Sequence, residues 1–158
     1  MHATIYGLTN QPPLPRIRLE LHLSGNGFGD HDMGEVAAAV RLQALLRVLV
    51  LNGCRLGDGG ARALSSTVAS HRHLGVLQLG HNLVGDPGAL ALSRAFEENG
   101  SVHHFSLKDN QVTPRGFAAL LTSLRGNRGV RTLELGACVR TASAARTSFD
   151  SRSLICPS

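Results

Sequence analysis

Apolar residues in this chain stand in columns that recur every 28 positions, separated by polar or small residues. Leu46, Leu74, Val102 and Val130 open successive units. Leu21, Leu49, Leu77, Phe105 and Leu133 form the next column, and Leu23, Leu51, Leu79, Leu107 and Leu135 follow two residues later. A polar column then interrupts them at Asn26, Cys54, Asn82, Asn110 and Cys138. Phe28, Leu56, Val84 and Val112 come two residues after it, and glycines recur at Gly60, Gly88 and Gly116. A self-similar period of this length is the mark of a stacked repeat, a surface for binding more often than a pocket for chemistry.

The local pattern predicts one strand and one helix per unit. In Leu77-Gln78-Leu79 the alternation has period two, so both leucines face one way and Gln78 the other. Further on, Val36, Leu64, Leu92 and Leu120, with Val40, Val68, Phe96 and Leu124, keep helical spacing and supply the helical core. Gly57-Asp58, Gly85-Asp86-Pro87 and Thr113-Pro114 read as helix starts with an N-cap residue, two of them with proline at the first helical position. Gly29-Asp30 gives the same signal in the first unit, while Asn99-Gly100 and Gly126-Asn127 read as stops. Helices are expected near residues 32–43, 59–70, 87–98 and 115–125.

These columns spell L-x-x-L-x-L-x-x-N/C-x-L, seen best in Leu74 to Asn82 and Val102 to Asn110, and they resemble the leucine-rich repeat. A 28-residue unit with a full helix is similar to the ribonuclease-inhibitor-like subclass. The resemblance covers about Arg18 to Val139. It implies an α/β solenoid, a horseshoe arc with parallel strands on the concave face and helices on the convex face. It also implies that the asparagine side chains satisfy backbone groups where the chain leaves each strand. The cysteines in that column are expected to pack as small apolar groups.

Residues 1–16 read as an irregular lead-in, residues 17–140 as four to five repeats, and residues 141–158 as a disordered or loosely helical tail rich in Ala, Ser, Thr and Arg. Pro12 and Pro15 have the spacing of a polyproline ligand, although an irregular lead-in accounts for them. After Val139 the register is lost: Arg140 replaces an apolar residue, and Ser148 and Arg152 fall in core columns. Solenoids need polar caps. None is evident beside Leu21 or Leu133, so a fragment of a longer array is the expected origin. Open ends would also allow end-to-end self-association.

The fold places the residues between the strand leucines on the concave face. In register these are Glu20 and His22, Val48 and Val50, Val76 and Gln78, His104 and Ser106, and Thr132 and Glu134. Asn52, His81, Lys108 and Asp109 come just beyond the strands. Val48, Val50 and Val76 would form an exposed apolar patch, a mark of interaction sites, although valine is favoured in strands regardless. His22, Gln78, His104 and Lys108 would rim it. A protein partner is therefore expected on this face.

Composition narrows the alternatives. The formal charge is +5, but the arginines are scattered through Arg41, Arg62, Arg94, Arg125 and Arg131, form no basic run and come with few aromatics, and Lys108 is the only lysine. A solvated convex face explains them better than nucleic acid does. No stretch of 18 apolar residues and no charged-then-apolar leader occur, so neither a membrane span nor a secretion signal is indicated. Three cysteines, two in repeat columns, argue against a disulfide framework and for a reducing, cytoplasmic location.

Candidate chemistry is thin, and neither a cofactor nor a metal is expected. Gly25-Asn26-Gly27-Phe28-Gly29 and Gly57-Asp58-Gly59-Gly60 look like phosphate loops, but both sit in repeat register and lack the G-K-S/T ending. His71, His73, His103 and His104 could approach one another, yet no acidic or cysteine ligand accompanies them at zinc spacing, and surface histidines are the expected reading. Ser65, Ser66 and Ser93 have no in-register His/Asp pair, and Cys54 is expected to be buried and inert. An enzyme is not expected.

Three functional readings follow. The unit from Gly85 to Val102 resembles repeats of NOD-like receptors and related cytoplasmic scaffolds, which implies a non-catalytic protein-interaction module. Asn110 to Leu121 is similar to repeats of tropomodulin-like and CARMIL-like proteins, which implies an actin-regulatory module. The repeat subclass is also that of the Ran GTPase-activating protein, but no residue here matches its catalytic apparatus.

Overall fold

The computed structural model describes residues 19–135. Five strands alternate with four helices: β1 Leu19–His22, α1 Met33–Leu42, β2 Leu46–Val50, α2 Asp58–Ser70, β3 Val76–Gln78, α3 Asp86–Glu98, β4 His104–Ser106, α4 Pro114–Gly126 and β5 Thr132–Glu134. The strands form one parallel sheet in chain order. Leu21 pairs with Leu49, Leu49 with Leu77, Leu77 with Phe105 and Phe105 with Leu133, so the sequence period is also the pairing register. This is an α/β repeat solenoid. The lead-in, the Pro12–Pro15 spacing, Cys138 and the tail lie outside the described residues.

One apolar layer joins sheet to helices. Leu49, Leu77 and Phe105 from the strands, with Leu51, Leu79 and Leu107 just past the strand ends, are fully buried against Leu64, Leu92, Phe96 and Leu120 from the helices. Phe96 and Phe105 meet with ring centroids 4.6 Å apart at a tilt of 56°, an arrangement that matches the aromatic quadrupoles. The first unit is less closed. Val36, placed in the helical core by its column, is only partly buried, as are Leu21, Leu23 and Phe28, while Met33 and Ala37 are buried instead. Among the described helices, α1 packs against α2.

Hydrogen-bonding ladders tie the repeats together. Asn82 Oδ1 accepts from the N–H groups of Cys54 and Leu56 in the preceding unit, and its Nδ2 donates to the carbonyls of Leu51, Leu79 and Gly80. Asn110 does the same one unit later, accepting from Val84 and donating to Leu79 and Leu107. Cys54 is fully buried, and its thiol donates weakly to the Leu23 carbonyl at 3.2 Å. Burial pushes this thiol above its ordinary range, against the opposing effect of the Asn26 and Gly25 backbone groups. It is therefore protonated and a poor nucleophile at neutral pH.

A second ladder runs behind the helices, where the sequence reading placed simple stop signals. The C-caps Asn99 and Asn127 are extended rather than left-handed (φ −91° and −80°), so no glycine turn ends these helices. Asn99 donates to Val68 and His71 carbonyls and accepts from Ser101 and Val102; Asn127 repeats the pattern on Phe96, Asn99, Gly129 and Val130.

His71 occupies that same column and corrects the expectation of surface histidines, for it is buried. Its Nδ1 accepts from the Leu74 N–H at 3.1 Å and its Nε2 faces the Gln43 carbonyl at 3.1 Å. Those partners fix the neutral tautomer with the proton on Nε2, so the ring does the work of an asparagine amide.

The helix starts also differ from the local reading. Helix α1 begins at Met33 behind Asp32, α2 behind Gly57, α3 behind Gly85 with Pro87 as its second residue, and only Thr113 supplies a side-chain cap to its own helix. The aspartates reach forward instead. Asp30 accepts from the N–H groups of Gly57, Gly59 and Gly60, Asp58 from Gly85 and Gly88, and Asp86 from Thr113. Each carboxylate thus meets the positive end of the next helix.

Candidate interaction face

The strand face carries two rows of side chains drawn from all five units. Glu20, Val48, Val76, His104 and Thr132 stand in register in the first, and His22, Val50, Gln78, Ser106 and Glu134 in the second. Neighbouring positions in a row are one strand spacing apart, about 4.8 Å, so adjacent side chains shield one another. Val48 and Val76 are half-buried, as are Gln78, His104, Thr132 and Glu134, while Glu20 and His22 are exposed.

Two expected contact residues are corrected. Val50 is only 7% exposed and Ser106 only 5%, because each lies between longer neighbours in the second row. The apolar part of the face is therefore Val48 and Val76 side by side, not a patch of three valines.

Polar groups fix the edges of the face. Asn52 donates from Nδ2 to Gln78 Oε1 at 3.2 Å and accepts at Oδ1 from the Gly80 N–H at 2.7 Å, which holds the Gln78 amide across the row. His104 Nε2 stands 3.9 Å from Glu134 Oε1, and His22 Nε2 lies 3.3 Å from Glu20 Oε2. Beyond the strands, His81 Nδ1 meets Asp109 Oδ2 at 3.2 Å, next to the half-buried Lys108.

The His81–Asp109 pair was not foreseen. Both residues are left-handed, at φ 54° and 53°, in a column whose earlier members are Gly25 and Gly53. A side chain in that conformation costs roughly 1 kcal/mol relative to glycine. The two leading glycines, one residue before the Asn/Cys column, were the readable signal that the column turns left-handed.

The other candidates resolve into structure. The Gly57–Gly60 amides already hold the Asp30 carboxylate, so the place an anion would take is filled from within. Ser65, Ser66 and Ser93 donate to carbonyls of their own helices. No group of three or more metal-ligating side chains occurs among the described residues. No described helix is long and apolar enough to cross a membrane.

A leucine-rich repeat family model matches residues 44–65 and 70–93. These two segments are leucine-rich repeats. Among solved structures, the fold of the chain is similar to that of the leiomodin-1 actin-binding site 2, with a TM-score of 0.66 at 16% identity over 72% of this chain and 68% of the other. It is also similar to the C-terminal domain of Caenorhabditis elegans tropomodulin, with a TM-score of 0.68 at 13% identity over 77% and 75%. No curated protein sequence matches the chain. At these identities the likeness is one of fold.

Proposed function

We propose that this repeat protein is a non-catalytic module that binds a protein partner across its strand face. The observation that carries the reading is the register: equivalent side chains of five successive strands form two continuous rows, with Val48 and Val76 adjacent in the first. A small apolar centre rimmed by histidine, glutamine, lysine and carboxylate groups suits a protein surface better than a small ligand. The test is affinity capture with wild type and a Val48→Asp/Val76→Asp variant, with folding checked by circular dichroism. A partner held by wild type and lost from the folded variant supports the reading. Identical capture by the two folded proteins removes the strand face from consideration.

A second reading has one observation in its favour. A solved structure of similar fold is named as an actin-binding site. Co-sedimentation with filamentous actin tests it. Saturable pelleting with actin would favour an actin-regulatory module, and recovery in the supernatant at all actin concentrations would eliminate it. No observation favours the GTPase-activator reading.

A further inference from the structure

We infer that the groove between α2 and α3, on the helical face, is a docking site for an acidic, amphipathic protein segment. The groove has a volume of about 750 Å³ and is open to solvent along the helices. Among the described residues three exposed arginines border it, Arg62 from α2, Arg72 just past the end of α2, and Arg94 from α3, against the single carboxylate of Glu98. Its floor is apolar: Ala69 and Ala91 are half-buried, and the exposed Leu90 side chain lines the groove beside them.

The neighbouring groove argues for selectivity. It lies between α3 and α4 and shares Leu90, Arg94 and Glu98, but it adds Glu97 and no further arginine. One face thus carries two parallel grooves of similar form and opposite sign, and only the first is complementary to carboxylates. The small residues of α2 do not compete for the arginines. Ser65, Ser66 and Ser70 give their hydroxyl protons to carbonyls of their own helix, so toward the groove they offer acceptors only. Carboxylates entering the groove would be held by guanidinium groups, which pair with them in two-pronged geometry. Leu90 and the alanines would take the apolar stripe of the same segment. Among the described residues no aromatic ring lines the groove, so they offer bases no stacking platform, which disfavours single-stranded nucleic acid.

The site lies on the opposite side of the solenoid from the strand face and stands independently of the reading given for that face. The test is fluorescence anisotropy of the full chain with two labelled helical peptides of equal leucine pattern, one carrying glutamate and one lysine at the polar positions. The glutamate peptide should bind saturably, the lysine peptide should not, and raising salt to about 0.5 M should weaken binding because the charges are exposed. Arg62→Glu/Arg94→Glu should weaken it about tenfold or more, and Leu90→Ser should weaken it at constant salt dependence. Should the double reversal lose helical circular dichroism, Arg62→Gln/Arg94→Gln replaces it. Val48→Asp/Val76→Asp should bind the peptide like wild type.

The inference is overturned by any of four results: no saturable binding of the glutamate peptide at concentrations up to about 1 mM, equal binding of the lysine peptide, unchanged affinity in the arginine variants, or loss in the strand-face variant. Tighter binding of a single-stranded RNA through the same arginines would also overturn it.

Discussion

The Asp58 carboxylate accepts the backbone N–H of Gly88 at 2.8 Å, from one repeat to the next. The same oxygen accepts from Gly85. Two columns that look separate in the sequence, aspartate at the helix start and glycine at the second residue after it, are therefore one device. The carboxylate neutralises the first turn of the following helix, and the glycine leaves room for it. The device recurs between Asp30 and Gly60, and Gly116 lies equally close to Asp86.

Removing the carboxylate should cost stability without touching the core. Asp58→Ala leaves two N–H groups at the start of α3 without their charged acceptor, a loss of about 1–2 kcal/mol. Chemical denaturation should show a lower midpoint at unchanged slope, and the Asp30→Ala and Asp86→Ala variants should follow. An unaltered midpoint in all three would show that water replaces the carboxylates at no cost.

Filling the glycine tests the other half. A Cβ at Gly88 would stand 2.7 Å from the Asp58 carboxylate, 2.8 Å from a Val84 methyl and 3.0 Å from the Ala61 Cβ. Alanine ordinarily gains about 1 kcal/mol over glycine inside a helix. Here the crowding, at about 1–3 kcal/mol, together with the displaced carboxylate, outweighs that gain. Gly88→Ala should therefore destabilise, and less so in an Asp58→Ala background. A double-mutant cycle measures this coupling; strict additivity would mean the two residues do not share the space.

The repeat register was legible because it is carried by residue type at a fixed step, and the strand columns that follow it are buried from the second unit to the fifth. What escaped the reading depends on neighbours one repeat away. Asp58 looks like a cap for its own helix, because its true partners are distant in sequence. His71 looks like a surface residue, because nothing local says that its two ring nitrogens replace an asparagine amide. Val50 looks exposed by alternation, yet His22 and Gln78 flank it in register. On a sheet, exposure belongs to the row and not to the strand.

Burial of Val50 makes a charge at this position costly. A charge placed there would sit 7% exposed among its row neighbours, so Val50→Asp should lower stability by about 2–4 kcal/mol. Leu79→Asp, at a fully buried position just past β3, should prevent folding altogether. Thermal melts followed by circular dichroism order the three proteins as wild type, Val50→Asp, Leu79→Asp. A wild-type melt for Leu79→Asp would contradict the register itself.

The acid response has a sign that can be worked out at Asp86. Its carboxyl is held below the usual carboxylate range, first by the Thr113 hydroxyl, against partial burial, and then by the Thr113 and Gly116 N–H groups and the Arg115 charge. A carboxyl depressed in the folded state binds its proton more weakly there than in the unfolded chain. Its contribution is complete above the ordinary carboxylate range and is lost as pH falls through the lower, folded value. Thr113→Val removes the first of these causes, so the depression shrinks and the acid-unfolding midpoint should move to higher pH. Asp86→Asn should lower stability at neutral pH yet flatten the acid transition. Stability measured from about pH 7 to 2 distinguishes the cases. If Thr113→Val and wild type lose stability along the same curve, the hydroxyl does not set the acid response.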